Sequence, residues 1–174
     1  TGEKSNTPNA GNQKNAAGRL TVGYGAGITK IGPEYGVGIT LERLVDAPIL
    51  LVKCAWGNTS LSSNWRAPSL GSSYCWDMVM PEIDKVLANP EKYHPEYDPK
   101  VGYDVAGLVW FQGYSDLQNK NYGEQLTAMI KDLRKKVKTP NMPVVLGTLG
   151  MPAYQQAAFA NHPNAGMLQV SKMP

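Results

Sequence analysis

Gln112 and Gly113 follow directly on the apolar run Val105-Ala106-Gly107-Leu108-Val109-Trp110-Phe111, and Asp116 stands four residues beyond the glutamine. A side-chain amide at the tip of a strand, beside a glycine whose N–H points out of a tight turn, makes a pair of neutral hydrogen-bond donors. Such donors stabilise an oxyanion without placing a charge in the site, and losing one typically costs on the order of a hundredfold or more in rate. That would make Gln112 an oxyanion donor presented by a rigid strand. A blander reading is available: a glutamine at a strand end caps loop carbonyls, and a glycine simply permits a positive backbone dihedral. On this motif alone the blander reading is favoured.

The other residues with chemical potential are few. Ser60 and Ser115 lie in candidate site loops but not in a strand-to-helix elbow that would expose a nucleophile, so their hydroxyls are expected to brace backbone. His94 and His162 sit in proline loops with no paired serine motif, and both read as surface histidines. Asp116 either holds its loop by accepting backbone N–H bonds or orients a base, with the first favoured. Trp56, Trp65, Trp110 and Tyr114 line a ligand platform or pack as core, the latter being commoner at strand ends. Arg66 either meets a substrate carboxylate through a bidentate contact or pins its loop, the second preferred. No His, Cys or carboxylate cluster has ligand spacing, so no metal and no cofactor is expected.

These residues need elements to position them. Pro33 can take the first position of a short helix running to Leu44. The run Pro48 to Ala55 is short and almost wholly apolar, as expected of a strand covered on both faces. A helical stretch around Cys75 to Ala88 repeats Trp76, Val79 and Ile83, with Pro81 kinking it or starting its main part. The second strand is expected over Asp104 to Phe111. A helix follows with Asn121 as its cap, Glu124 three residues on, and a stripe of Leu126, Met129, Ile130, Leu133 and Val137. Pro143 to Leu149 is the third strand, Met151 to Asn161 a helix, and Met167 to Val170 the start of a fourth strand. Strands alternating with helices imply an α/β fold with an open parallel sheet, whose ligands sit outside the carboxyl ends of the strands. Three loops meet that condition: residues 55–61, 110–116 and 147–150.

Length and composition bound the rest. With 174 residues, 42% hydrophobic and 18% charged, the chain is globular and sized for a single domain, spanning residues 19–174 after a polar lead-in or surface loop over 1–18. The net charge is +3, and its densest cluster, Arg134 to Lys138, sits at a helix C terminus, where it complements the dipole. Without stacking aromatics this is no nucleic-acid footprint. No apolar run is long enough to span a membrane, so no membrane partner is expected either. Cys54 and Cys75 permit at most one disulfide, and Cys54, within an apolar run, reads as a buried free thiol.

A resemblance adds to this reading. AWGNTSL followed by NWRAPS, and GLVWFQGYSD followed by Tyr122 and the LTAMIKDLRKK helix, resemble the second and third blocks of the SGNH-hydrolase superfamily. The nearest branch is that of the sialate O-acetylesterase-like carbohydrate esterases, family six, where AWGGxSL and W-x-QG-x-x-D are the corresponding strings. IGPEYGVG also resembles a segment of that branch, and the likeness runs from about Leu20 to Val170. It implies a three-layer α/β/α sandwich of flavodoxin-like type and a serine esterase that removes acetyl or related acyl groups from sugars. Gly57 and Gln112 match its oxyanion positions, and Asn58 replaces the family's second glycine with a residue that tolerates left-handed backbone. Trp56, Arg66, Trp110 and Tyr114 become the substrate-binding candidates. The family's Gly-Gln-Ser-Asn block and Asp-x-x-His block do not occur here, so the chain is expected to be the central part of such a domain, incomplete at both ends. The nucleophile and base then lie outside it, the remaining segments being potential partners, and a secreted or periplasmic location is implied by resemblance alone. A noncatalytic carbohydrate-binding relative that has lost the triad is the alternative.

Overall fold

In the computed structural model, residues 16–150 and 163–172 are described. They fall into two compact units, one comprising residues 56–79, 104–150 and 163–172, the other residues 16–55 and 80–103. Helix α2, Tyr74–Ala88, begins in the first and ends in the second, running on through Pro81.

The second unit is built around α1, Pro33–Leu44, which starts at the proline as expected. Proline at the first helical position sacrifices an N–H that has no intrahelical partner anyway. Glu34 accepts the Gly32 N–H at 3.1 Å and pairs with Lys53 at 2.9 Å, while Lys53 Nζ also reaches the Tyr24 carbonyl at 2.5 Å. The segment from Ile49 to Ala55 therefore lies tied to α1 by a charge, but it forms no ladder. Leu50 and Val52 are exposed where Ile49, Leu51 and Cys54 are half-buried. The expected first strand does not form there: no described segment pairs with this run, and a strand exists only where a neighbour accepts its backbone bonds.

The first unit carries the sheet. Strands β1, Leu108–Trp110, and β2, Val144–Leu146, pair in parallel with Leu108 opposite Val144 and Trp110 opposite Leu146. The Leu108 N–H to Pro143 carbonyl bond and the Gly147 N–H to Trp110 carbonyl bond extend the pairing at either end. Burial alternates along them: Leu108 and Trp110 are half-buried, as are Val144 and Leu146, while Val109 and Val145 are 49% and 62% exposed. The architecture is α/β with a small parallel sheet.

Helix α3, Tyr122–Lys136, buries Leu126, Met129 and Ile130 of its predicted stripe, leaves Leu133 half-buried, and buries Tyr122 besides. Its cap differs from expectation. Asn121 occupies the cap position but its side chain makes no capping bond; Asn119 Oδ1 instead accepts the Asn121 N–H at 3.1 Å. Residues 167–170, expected as a strand, form the last turns of helix α4, Pro163–Val170. Pro163, Met167 and Val170 are its buried residues, a spacing of four and three that a four-residue window cannot show. Where α3 and α4 meet, a Cβ on Gly166 would stand 2.7 Å from Gly123 N and 3.0 Å from its Cα, so the backbones touch through two glycines. The helix expected over Met151 to Asn161 lies outside the described residues.

Candidate active site

The loop after Ala55 is shaped by its own polar side chains. Thr59 Oγ1 donates to the Trp56 carbonyl at 2.9 Å and accepts the Trp65 indole N–H at 3.0 Å, which ties both ends of the loop to one buried hydroxyl. Asn64 Oδ1 accepts the Ser60 N–H at 2.9 Å, and the Asn64 carbonyl takes the Cys75 N–H and the Ser73 hydroxyl. Between these ties Asn58 adopts φ 57°, the left-handed conformation that asparagine tolerates better than other side chains. Gly57 beside it is exposed, with open space where a Cβ would be.

Gln112 extends from the end of β1 towards this loop, and all of its amide is engaged. Nε2 donates to Asp116 Oδ2 at 2.7 Å and to the Thr59 carbonyl at 3.1 Å, while the Tyr122 hydroxyl lies 3.0 Å from Oε1 and 2.9 Å from the Gln112 carbonyl oxygen. The Tyr122 oxygen in turn accepts the Trp110 indole N–H at 3.1 Å. Burial above all, with the Asp116 charge adding to it, pushes the Tyr122 phenol far above its ordinary range and outweighs the indole bond, so the hydroxyl remains a donor. With acceptors facing Nε2 and a donor facing Oε1, only one orientation of the amide is compatible with its surroundings.

Asp116 is the hub. It is 2% exposed, and its carboxylate accepts from Leu61 N at 2.6 Å, Ser62 N at 3.3 Å, Gln112 Nε2 and, at 2.8 Å, Asn119 Nδ2. The carboxylate is thus solvated by neutral donors drawn from three segments, and it accepts backbone N–H bonds as the sequence suggested. Gly113 turns the chain between Gln112 and Asp116 at φ 157°, where a Cβ would also stand 3.1 Å from Leu149 and Pro163. The third loop is set by α4: Asn164 accepts the Leu149 N–H at 2.9 Å and donates to the Leu149 carbonyl at 3.0 Å.

These loops surround a cavity of about 620 Å³, within the range of small-ligand sites. Trp56, Asn58, Gln112 and Tyr114 line it, whereas Arg66 and Trp110 do not. Arg66 Nε donates to the Ser72 carbonyl at 3.1 Å, so it pins its own loop. Trp110 packs edge-on to Trp65 with ring centroids 5.8 Å apart, and Trp65 contacts Trp56 at 5.4 Å, so Trp110 belongs to an aromatic stack beneath the loop. Phe111, Thr59, Asn119 and Tyr122 were not singled out as site residues from sequence. Phe111 and Thr59 line the cavity, and Thr59, Asn119 and Tyr122 hold the network around Gln112 and Asp116.

No nucleophile–base pair stands here among the described residues. Ser60 Oγ shares a 2.6 Å bond with Ser63 Oγ, within a cluster that closes on Asn64. Ser115 lines the cavity, and no described imidazole is bonded to it. His94 Nδ1 accepts the Glu96 N–H at 3.2 Å, a local loop contact, and His162 is outside the described residues. Cys54 and Cys75 are free thiols; burial raises both, Cys75 to about 11, so neither is poised as a thiolate. Among the described residues no group of His, Cys, Asp or Glu could hold a metal ion, and no helix is long and apolar enough to cross a membrane.

The site joins an α/β architecture with a small parallel sheet to an oriented amide at the rim of a cavity beside the strand ends. The family model of the sialic acid-specific acetylesterases, carbohydrate esterases, matches residues 9–173, and the chain belongs to that family. No curated protein and no solved structure matches it.

Proposed function

We propose that the protein acts as a carbohydrate O-acetylesterase of serine type, with the Gly57 and Asn58 loop and the Gln112 amide as oxyanion donors. The observation that supports this most directly is the single orientation of Gln112, whose Nε2 is directed by Asp116 and the Thr59 carbonyl at the cavity wall. Both hydrogens of that nitrogen are engaged in the resting site. The 3.1 Å bond to Thr59 is the longer and goes to a neutral acceptor, so it is the one that yields when an oxyanion arrives. Asp116 keeps the other and with it the direction of the group. Charge-assisted bonds to an oxyanion are roughly twice as strong as neutral ones, which favours that exchange only as the tetrahedral intermediate forms.

On this reading the serine attacks the ester carbonyl, a histidine takes its proton and returns it to the departing sugar hydroxyl, and water completes the cycle. The nucleophile and base come from the two family blocks that this sequence does not contain. The substrate is an acylated carbohydrate, and secretion is the compartment in keeping with the family. The test is acetate release by an active form of the protein. Gln112→Ala should lower the chemical rate by on the order of a hundredfold or more and weaken binding of the deacylated sugar far less. Turnover that survives the substitution intact would remove Gln112 from the mechanism.

A further inference from the structure

Asn58 is held in a conformation that its own side chain does nothing to support. Of the residues other than glycine described with a positive φ, Asn58, Ser72 and Lys138, it alone lines the cavity beside the strand ends. An asparagine in left-handed backbone is ordinarily steadied by its side chain, which closes a hydrogen bond on the chain nearby. The polar side chains that follow Asn58 are engaged in this way: Thr59 Oγ1 donates to the Trp56 carbonyl and accepts from the Trp65 indole, and Ser60 Oγ bonds Ser63 Oγ. The Asn58 carboxamide bonds no described residue and stands exposed at the cavity. A glycine would hold the same turn at no steric cost, so the backbone by itself gives no reason for an asparagine. A conformation of this kind, beside a cavity and without a local bond to account for it, is an observation from which function can be inferred.

What the group can do follows from its chemistry and its place. A carboxamide offers an acceptor oxygen and two N–H donors. It therefore suits a hydroxyl, which both gives and takes a hydrogen bond, better than an ester carbonyl, which only accepts. Its place is set by the next residue, Thr59, whose carbonyl accepts from Gln112 Nε2 at 3.1 Å. Consecutive Cα atoms are about 3.8 Å apart, so Asn58 stands one residue's length from the contact that an oxyanion would displace. In a sugar ester, the hydroxyl on the carbon next to the acylated one lies at that range from the reacting carbonyl.

We propose that Asn58 is a specificity-determining residue: its side-chain amide hydrogen-bonds the hydroxyl that neighbours the ester, so the site favours an acylated sugar with a free vicinal hydroxyl. This rests on the carbohydrate-esterase reading above and narrows its substrate class. The role is separate from that of the loop backbone, which serves the oxyanion and does not sense what the sugar carries beyond the ester. A single neutral hydrogen bond at an exposed wall is modest, and losing it should cost about three- to tenfold in affinity.

Two ligands isolate that hydroxyl. One is a methyl sialoside with a single O-acetyl group beside a free hydroxyl, in keeping with the sialic acid-specific family, and the other carries hydrogen in place of that hydroxyl. Binding is followed by the quenching of tryptophan fluorescence, since Trp56 lines the cavity, and acetate release is measured in parallel with an active form. The native protein should bind the hydroxyl-bearing ligand about three- to tenfold more tightly than the deoxy one. Asn58→Gly should bring that ratio to within about twofold of one with the circular dichroism spectrum unchanged, because glycine takes φ 57° without strain. The ratio is the readout, since whatever the substitution does to the oxyanion loop falls on both ligands alike. A native ratio near one, or a native preference that survives Asn58→Gly, overturns the proposal, and acetate release from either ligand would then leave the esterase reading standing. The expected ratios without acetate release would end the esterase reading and keep Asn58 as a sugar-binding residue. No binding of either ligand would end both.

Discussion

One carboxylate organises the site. Asp116 accepts from Leu61, Ser62, Gln112 and Asn119, and losing it strands donors that are buried with it. Asp116→Ala should therefore destabilise the protein by about 2–4 kcal/mol in chemical denaturation. Asp116→Asn should recover little, because an amide N–H would then face other N–H groups. A change below about 0.5 kcal/mol would show that the loop is held by something else. Tyr122→Phe removes the donor that faces Gln112 Oε1 and should cost about 1–2 kcal/mol. If the orientation of Gln112 matters for catalysis, this variant lowers the rate of acetate release more than it changes binding. Part of this was legible beforehand. The amide at the strand tip was visible from residue type, and so was the left-handed tolerance of Asn58. Tyr122, Asn119 and Thr59 were not, since each acts by a hydrogen bond whose partner is fixed by the path of the chain rather than by spacing.

At the scale of elements, two helical glycines should respond oppositely to alanine. Gly166 on α4 meets the backbone of Gly123 on α3, and backbone cannot move aside as a side-chain tip can. Gly166→Ala should cost about 1–3 kcal/mol by overpacking. Gly36 lies within α1 with open space at its Cβ position, so Gly36→Ala should stabilise by up to about 1 kcal/mol. Paired thermal unfolding curves would check both, and a stabilised Gly166→Ala would deny the close crossing. The sequence placed α1 and α3 well because each carries a local signal, a proline at the first position or a long apolar stripe. It misplaced the segments that lack one. Residues 167–170 were too short a window to reveal the spacing of Pro163, Met167 and Val170. The apolar run from Ile49 resembled a strand, but pairing is decided by the neighbour and not by the run itself.

At the scale of the molecule, pH reports on burial. Cys75 is fully buried, and its thiol is raised from an ordinary value of 9.0 to about 11 by desolvation. Below pH 9 both folded and unfolded chains keep that proton, and it has no effect on stability. Above pH 9 the unfolded chain ionises while the folded one still binds the proton, so stability should fall with rising pH until about 11. Tyr122, raised by the same burial, should continue the loss above its ordinary value of 10.0. Denaturation midpoints measured from pH 7 to 11 should decline above 9, and Cys75→Ala should flatten the first part of that decline. A midpoint constant across the range would mean that the thiol ionises as freely in the fold as outside it. The sequence by itself determined the α/β class, three of the helices in place, the family, and the two neighbouring stretches from which the site is drawn. Those follow from local periodicity, turn chemistry and motif, which act over a few residues. Only the tertiary structure decided that Asp116 would bind Leu61 at a separation of 55 residues, that Gln112 would face Thr59 at 53, and that Trp56, Phe111 and Tyr114 would line one cavity. Contacts of that range depend on how the whole chain packs, and no short window of sequence carries that information.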